Sequence, residues 1–140
     1  HIGGITTQFS PPPLNEEWLR VAEKSQDGFI LVTFGSIART VDLPATLFSH
    51  FRQAFRAFPN TTFIMKHEEV CPECIVRVES NVVLSAWLPQ PSLMSHRNCL
   101  GIITHGGWSS ILEAIHYARP MILMPLFADH AKNSAVVLSR

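Results

Sequence analysis

The feature that most constrains the fold of this 140-residue chain is the alternation of apolar runs and polar junctions between residues 100 and 133. A short apolar run at 100–103 ends in the sequence THGG at 104–107. Apolar residues then recur at helical spacing over 108–115, and a second apolar run follows at 121–124. The pattern predicts a strand, a glycine turn, a helix and a second strand, which is the repeating unit of an α/β sheet.

The glycine turn at the start of the predicted helix has the chemistry of an anion site. A helix amino terminus leaves backbone N–H groups unpaired, and it carries partial positive charge. Glycines at 106 and 107 let a ligand approach the backbone closely, while His105, Ser109 and Ser110 can add hydrogen bonds. The alternative is a tight strand–helix connection with Ser109 as the N-cap, and this stretch alone leaves both interpretations open.

Composition excludes several classes of function. The formal net charge is zero and the basic residues are scattered, so we expect no nucleic-acid partner. No apolar run approaches the roughly 20 residues that a transmembrane helix needs. The first residues lack the basic and apolar regions of a signal peptide, and the last residues read as an unfinished helix. We therefore expect a fragment of a longer protein, amounting to one domain.

Three sequence features depend on the cell compartment or on a metal. Cys71 and Cys74 form a CxxC motif with His67 nearby, but a structural zinc site needs four ligands, so we expect no metal. A redox pair is disfavoured because the motif lies in a polar loop, a local disulfide is possible in an oxidising compartment, and a pair of idle thiols is the favoured interpretation. Residues 60–62 are a glycosylation sequon, meaningful only in the secretory pathway.

The rest of the chain predicts a doubly wound α/β domain with a mainly parallel sheet. Residues 1–14 form an extended lead-in that ends in a polyproline segment, and Asn15 caps a first short helix. A polar loop carries the cysteines, and a fixed loop containing two prolines follows Trp87. The predicted strands are 29–34, 61–66, 81–86, 100–103 and 121–124; the helical segments after the first are 43–58, 92–97, the helix from 108, and the final one.

Polar side chains follow four of these strands. They are Ser36, residues 87–90, His105 with its glycines, and Asp129 with His130. In a parallel sheet these positions share one edge, where ligands of α/β proteins bind. A Trp face followed by an amide suits a planar base, and a carboxylate such as Glu113 suits ribose hydroxyls. Ordinary packing of Trp87 and a solvated helix face for Glu113 are the alternatives.

Five segments together resemble the signature of UDP-glycosyltransferases, and the animal UDP-glucuronosyltransferase type is the most similar. They are HIGGI at 1–5, FGS at 34–36, WLPQ at 87–90, HGGWSSILE at 105–113 and PLFADH at 125–130. The resemblance implies a GT-B glycosyltransferase, in which two Rossmann-like domains face each other across a cleft. Residues 15–140 would be most of the carboxyl-terminal, UDP-sugar-binding domain, truncated at its end, and residues 1–14 the interdomain linker.

The resemblance also implies a role for each matching residue. Trp87 would stack on uracil and Gln90 would bond its edge, while Glu113 would hold the ribose. The diphosphate would lie against Ser36, His105 and the start of the helix, and Asp129 with its neighbour would bind the sugar. The implied donor-binding residues are Ser36, Trp87, Gln90, His105, Gly107, Ser109, Ser110, Glu113, Asp129 and His130. Ser109 stands where the family usually has Asn, and His130 stands where it usually has Gln.

The implied activity is inverting transfer of a sugar from UDP-sugar to a small lipophilic acceptor, with no cofactor and no metal. The acceptor and the general base would belong to an amino-terminal domain outside this chain, so none of these residues would be catalytic. A carboxyl-terminal anchor, also outside the chain, would hold the enzyme at the lumenal face of the endoplasmic reticulum membrane. A homo-oligomer is possible.

The leading interpretation is a fragment of an enzyme that binds the sugar donor but does not transfer the sugar by itself. Two other interpretations compete with it. A truncated, non-catalytic module could bind a nucleotide sugar or pair with a full-length partner. An NAD-dependent dehydrogenase is disfavoured, because GxGxxG is missing after the first predicted strand.

Overall fold

The computed structural model describes residues 10–36 and 39–139, so the predicted motif at 1–5 lies outside the described residues. One six-stranded sheet has the order β3-β4-β2-β1-β5-β6. Its strands are β1 Phe29–Thr33, β2 Thr62–Lys66, β3 Ile75–Glu79, β4 Val82–Ser85, β5 Cys99–Thr104 and β6 Met121–Leu123. The helices are α1 Glu16–Glu23, α2 Ala45–Arg56, α3 Gln90–Ser95, α4 Trp108–His116 and α5 His130–Leu138.

The predicted doubly wound, mainly parallel sheet is confirmed. Every pairing among the five strands other than β3 is parallel, so their carboxyl ends lie at one edge. The sheet has a hydrophobic cluster on each face, as expected for strands that are apolar on both sides. On one face Phe55 of α2 stacks on Phe63 of β2, with ring centroids 3.9 Å apart. Leu31, Leu93 and Ile102 are fully buried in the other cluster.

Three local predictions need correction. The segment predicted as a polar loop contains β3, which pairs antiparallel with β4 and covers that edge of the sheet. Its alternating side chains are mostly exposed, which explains why it reads as a loop. Helix α2 begins at Ala45, because Pro44 is its N-cap rather than part of its first turn. Gln90 is the first residue of α3 rather than part of a loop, since Pro91 is tolerated in a first helical turn.

The interpretation of the CxxC motif as idle thiols is wrong. Cys71 and Cys74 form a disulfide, with their Cα atoms 5.2 Å apart, and Cys99 is a buried free thiol. Among the described residues no group of three or more His, Cys, Asp or Glu side chains could hold a metal ion. Within the same part of the chain, every helix is too short or too polar to cross a bilayer.

Candidate functional site

The carboxyl edge of the sheet borders an open pocket of about 440 Å³. All of the residues predicted to bind a donor line this pocket, with the exception of Asp129. The lining residues are Thr33, Phe34, Gly35, Ser36, Lys66, Trp87, Leu88, Gln90, Pro91, His105, Gly107, Trp108, Ser109, Ser110, Glu113, Phe127 and His130. The parallel strands therefore bring together side chains that are far apart in the sequence, as predicted from the strand ends.

One wall of the pocket combines an aromatic face with an amide and a carboxylate. Trp87 is 67% exposed, so its ring is available to a ligand and is not part of the core. The Gln90 side-chain amide donates to Glu113 Oε2 at 2.7 Å and lies 3.2 Å from Ser110 Oγ. This bond links the start of α3 to α4, and it orients the carboxylate beside the aromatic face.

Glu113 is a half-buried carboxylate in the pocket and not part of a solvated helix face. Burial raises the pKa of Glu113 above its ordinary value, and the bond from Gln90 only partly offsets this effect. The charged carboxylate is therefore held in a place where it is poorly solvated. A ligand that donates hydrogen bonds to it, such as a vicinal diol, would relieve that cost.

His105 is buried at the centre of the edge and is confined by two glycines. A Cβ added at Gly35 would lie 2.7 Å from His105 Cε1, and one at Gly107 would also collide with the imidazole. The imidazole Nδ1 lies 3.1 Å from Thr104 Oγ1, and the His130 ring packs edge-on with centroids 4.5 Å apart. Burial, followed by the proximity of His130, lowers the pKa of His105. The shift favours the neutral form of the ring, and a hydrogen bond to the Thr33 main chain partly opposes it.

Helix α4 points its amino terminus at the pocket. Its N-cap is Gly107, which makes no side-chain capping bond, so the interpretation of Ser109 as the N-cap is wrong. Ser109 and Ser110 instead lie in the first turn and line the pocket. The unpaired N–H groups, the glycine backbone and two hydroxyls form one polar surface, which suits an anion.

Asp129 lies outside the pocket lining, although its neighbour His130 is part of it. Asp129 Oδ2 accepts a hydrogen bond of 2.9 Å from the Asn133 amide, and this bond lowers the pKa of Asp129. The Asn133 amide also donates to the Gly106 carbonyl at 3.1 Å. Asp129 and Asn133 thus connect α5 to the glycine turn.

Lys66 is a pocket residue that sequence reasoning missed. Its ammonium group donates to the Gly35 carbonyl at 2.8 Å and lies 3.1 Å from Glu68 Oε1, as an ion pair rather than a well-aligned hydrogen bond. Burial alone would raise the pKa of Glu68, but the hydrogen bonds from Thr40 and the adjacent Lys66 ammonium group lower it overall. The available signal was a lysine that ends an otherwise apolar strand, next to the strand that ends at Gly35.

The fold is that of a GT-B glycosyltransferase domain. Rice Os79 in complex with UDP superposes with a TM-score of 0.70 at 18% identity, over 91% of this chain and 29% of that one. Arabidopsis thaliana UGT89C1, solved with quercetin, gives a TM-score of 0.70 at 24% identity, over 92% of this chain and 31% of that one.

Sequence comparison defines the family. The family model described as UDP-glucoronosyl and UDP-glucosyl transferase matches residues 1–140, and the chain belongs to that family. The chain is 34% identical to human UDP-glucuronosyltransferase 3A2, over 95% of this chain and 25% of that protein. It is 35% identical to UDP-glucosyltransferase 2 of Dactylopius coccus, over 94% and 24% respectively. The chain thus spans about a quarter of the length of these relatives.

Proposed function

We propose that this chain forms the donor site of a UDP-glycosyltransferase and binds a UDP-sugar at the carboxyl edge of its sheet. The observation that carries the proposal is that an exposed Trp face, an amide–carboxylate pair and a helix amino terminus surround one pocket. Family membership supports a transferase, and its relatives are named both for glucuronosyl and for glucosyl transfer.

The aromatic wall is suited to the nucleoside. Uracil stacks on Trp87, and the Gln90 side-chain carbonyl accepts a hydrogen bond from the edge of the base while its NH2 group keeps Glu113 in place. The Glu113 carboxylate accepts hydrogen bonds from the ribose hydroxyls, which relieves its desolvation. Stacking of a base on an aromatic ring contributes about 1–3 kcal/mol.

The start of α4 is suited to the diphosphate. Backbone N–H groups at Gly107 and the first turn of α4 face the phosphates, assisted by the hydroxyls of Ser36, Ser109 and Ser110. His105 donates a hydrogen bond to a phosphate oxygen from its neutral ring. The sugar extends towards His130 and its neighbour Asp129.

Groups outside this chain complete the proposed enzyme. An amino-terminal domain binds a small lipophilic acceptor and supplies the general base that removes the acceptor's proton. The acceptor oxygen then bonds to C1 of the sugar as the C1–O bond to UDP breaks, and this single displacement inverts C1. The chain alone therefore binds donor but does not turn it over, since a positioned base is commonly worth 10²–10⁴-fold in rate. We also propose that a membrane anchor outside the chain holds the enzyme at the lumenal face of the endoplasmic reticulum. The proposed reaction requires no metal.

Calorimetry with UDP tests the nucleoside half of the site. Trp87→Ala should weaken UDP binding by about 1–3 kcal/mol because the stacking platform is lost. Phe58→Ala is the matched control, since Phe58 is 59% exposed and lies away from the pocket lining; its UDP affinity should not change. If the Trp87 variant binds UDP as tightly as the unmodified chain, the base site is misassigned.

A further inference from the structure

The sequon at residues 60–62 is a chemical motif that the donor site leaves unused. Asn60-Thr61-Thr62 is the only Asn-X-Ser/Thr sequence in the 140 residues. Asn60 lies in the turn between α2 and β2 and is exposed, whereas Thr62 is the first residue of β2 and only 5% exposed. The amide nitrogen that a modification would use therefore faces solvent.

The turn holds the Asn60 backbone in place and leaves its side chain at the surface. The buried Asn81 amide donates to the carbonyls of Phe55 and Phe58, at 2.8 and 3.0 Å, and fixes the end of α2. The Asn60 carbonyl accepts from the Asp27 N–H at 3.1 Å. The side chain borders a shallow groove of about 300 Å³, whose other lining residues are Lys24, Gln26, Pro59, Thr62, Arg77 and Ser80. This mostly polar surface is compatible with an attached sugar chain.

The turn lies at the opposite end of the sheet from the pocket. Thr62 pairs with Phe29 at the amino end of β1, whereas Lys66, at the carboxyl end of β2, lines the pocket. At about 3.3 Å per residue the two ends of β2 are about 13 Å apart. A glycan on Asn60 would leave the mouth of the pocket open.

The disulfide is an independent observation about the cellular compartment in which this chain folds. Cys71 and Cys74 are paired, and such bonds persist in oxidising compartments such as the lumen of the endoplasmic reticulum. N-linked glycosylation takes place in that lumen. An exposed sequon and a formed disulfide in the same chain therefore point to the same surroundings.

We propose that Asn60 is an acceptor for one N-linked oligosaccharide. The Asn60 amide nitrogen forms a bond to C1 of an oligosaccharide carried on a lipid pyrophosphate. The C1–O bond to the pyrophosphate breaks, the lipid pyrophosphate leaves, and the amide loses one proton. Because Thr62, the residue that completes the sequon, is only 5% exposed once β2 has paired, transfer precedes folding of this strand.

The test expresses the full chain in insect cells behind a cleavable secretory signal. We expect a gel shift that peptide N-glycosidase F removes, with Asn60 converted to Asp in the tryptic peptide 57–66. Asn60→Gln and Thr62→Ala should abolish the shift, and Thr62→Ser should keep it, because serine also completes a sequon. Chain that is folded first in bacteria and then mixed with microsomal membranes should remain unmodified.

The outcomes separate this proposal from the donor-site proposal. A secreted chain with its disulfide formed but without a glycosidase-sensitive shift would overturn the glycan site, as would a shift that survives Asn60→Gln. Modification of the prefolded chain would overturn the proposed order of transfer and folding. The glycosylated and unglycosylated chains should bind UDP within twofold of each other. Failure of both forms to bind UDP contradicts the donor site alone.

Discussion

The two ends of β1 are built from similar parts but differ in what surrounds them. A glycine with positive φ stands at each end, Gly28 at +105° and Gly35 at +86°. An added Cβ would lie 2.6 Å from the Asn98 carbonyl oxygen at the first position, and 2.7 Å from His105 Cε1 at the second. A glycine with positive φ therefore packs against main chain at one end of β1 and against a pocket side chain at the other.

The difference shows how partly or fully buried polar groups are used in this domain. At the amino end they satisfy backbone carbonyls: Asn98 donates to Ala22, and Arg119 donates to Met94, His96 and Cys99. At the carboxyl end polar side chains meet one another around open space, and burial shifts the pKa values of His105 and Glu113. Changes at the first end should therefore affect stability alone, and changes at the second end should affect ligand binding.

The largest effect is expected from the two glycines. Gly35→Ala forces an L-residue to positive φ and pushes His105 out of place, so the free energy of unfolding should fall by about 1–3 kcal/mol. UDP affinity should fall more than tenfold. Gly28→Ala is the matched control, with a similar loss of stability in chemical denaturation and unchanged UDP affinity by calorimetry. Equal loss of affinity in both variants would contradict the comparison.

A second pair of variants compares two carboxylates. Glu113→Gln removes a poorly solvated charge, so stability should rise or stay constant, while UDP affinity falls by about 1.5 kcal/mol with the loss of charged hydrogen bonds. Hydrogen bonds from Arg56 and Arg52 instead lower the pKa of Glu79, so Glu79→Gln should reduce stability and leave UDP affinity unchanged. Thermal unfolding and calorimetry measure both quantities. A destabilised Glu113→Gln variant with normal UDP affinity would assign Glu113 a structural role.

Much of this arrangement was predictable, and the exceptions have physical causes. Apolar runs and glycine turns identified the parallel strands, so the pocket residues at their carboxyl ends could be named without coordinates. The exposed edge strand β3 was missed because its burial pattern resembles that of a loop. Lys66 was missed because a lysine at the end of a strand normally faces solvent; here Glu68 and the Gly35 carbonyl hold it in the wall. The disulfide was missed because spacing alone does not determine whether a CxxC pair is oxidised.

The smallest effect is a pH dependence at the carboxyl end. Because the pKa of His105 lies below its ordinary value of 6.5, the native state binds fewer protons than the unfolded state just below that pH. The free energy of unfolding should therefore fall as the pH drops through this window, by at most about 1.4 kcal/mol per pH unit for this group. The pKa of His96 is lowered as well, by burial and by the charge of Arg97, so the His105→Asn variant is needed to isolate the contribution of His105 to the pH dependence. In chemical denaturation of this variant, the free energy of unfolding should change less steeply with pH. An unchanged slope would show that groups other than His105 cause the pH dependence.

The most direct test of the donor site measures UDP and uridine on the same preparations by calorimetry, for the unmodified chain and for His105→Ala. The unmodified chain should bind UDP more tightly than uridine, because only UDP reaches the start of α4 and His105. His105→Ala should lose about 1.5–3 kcal/mol of UDP binding and almost none of uridine binding. Equal losses for the two ligands, or no measurable binding of UDP to the unmodified chain, would contradict a nucleotide-sugar site at this edge of the sheet.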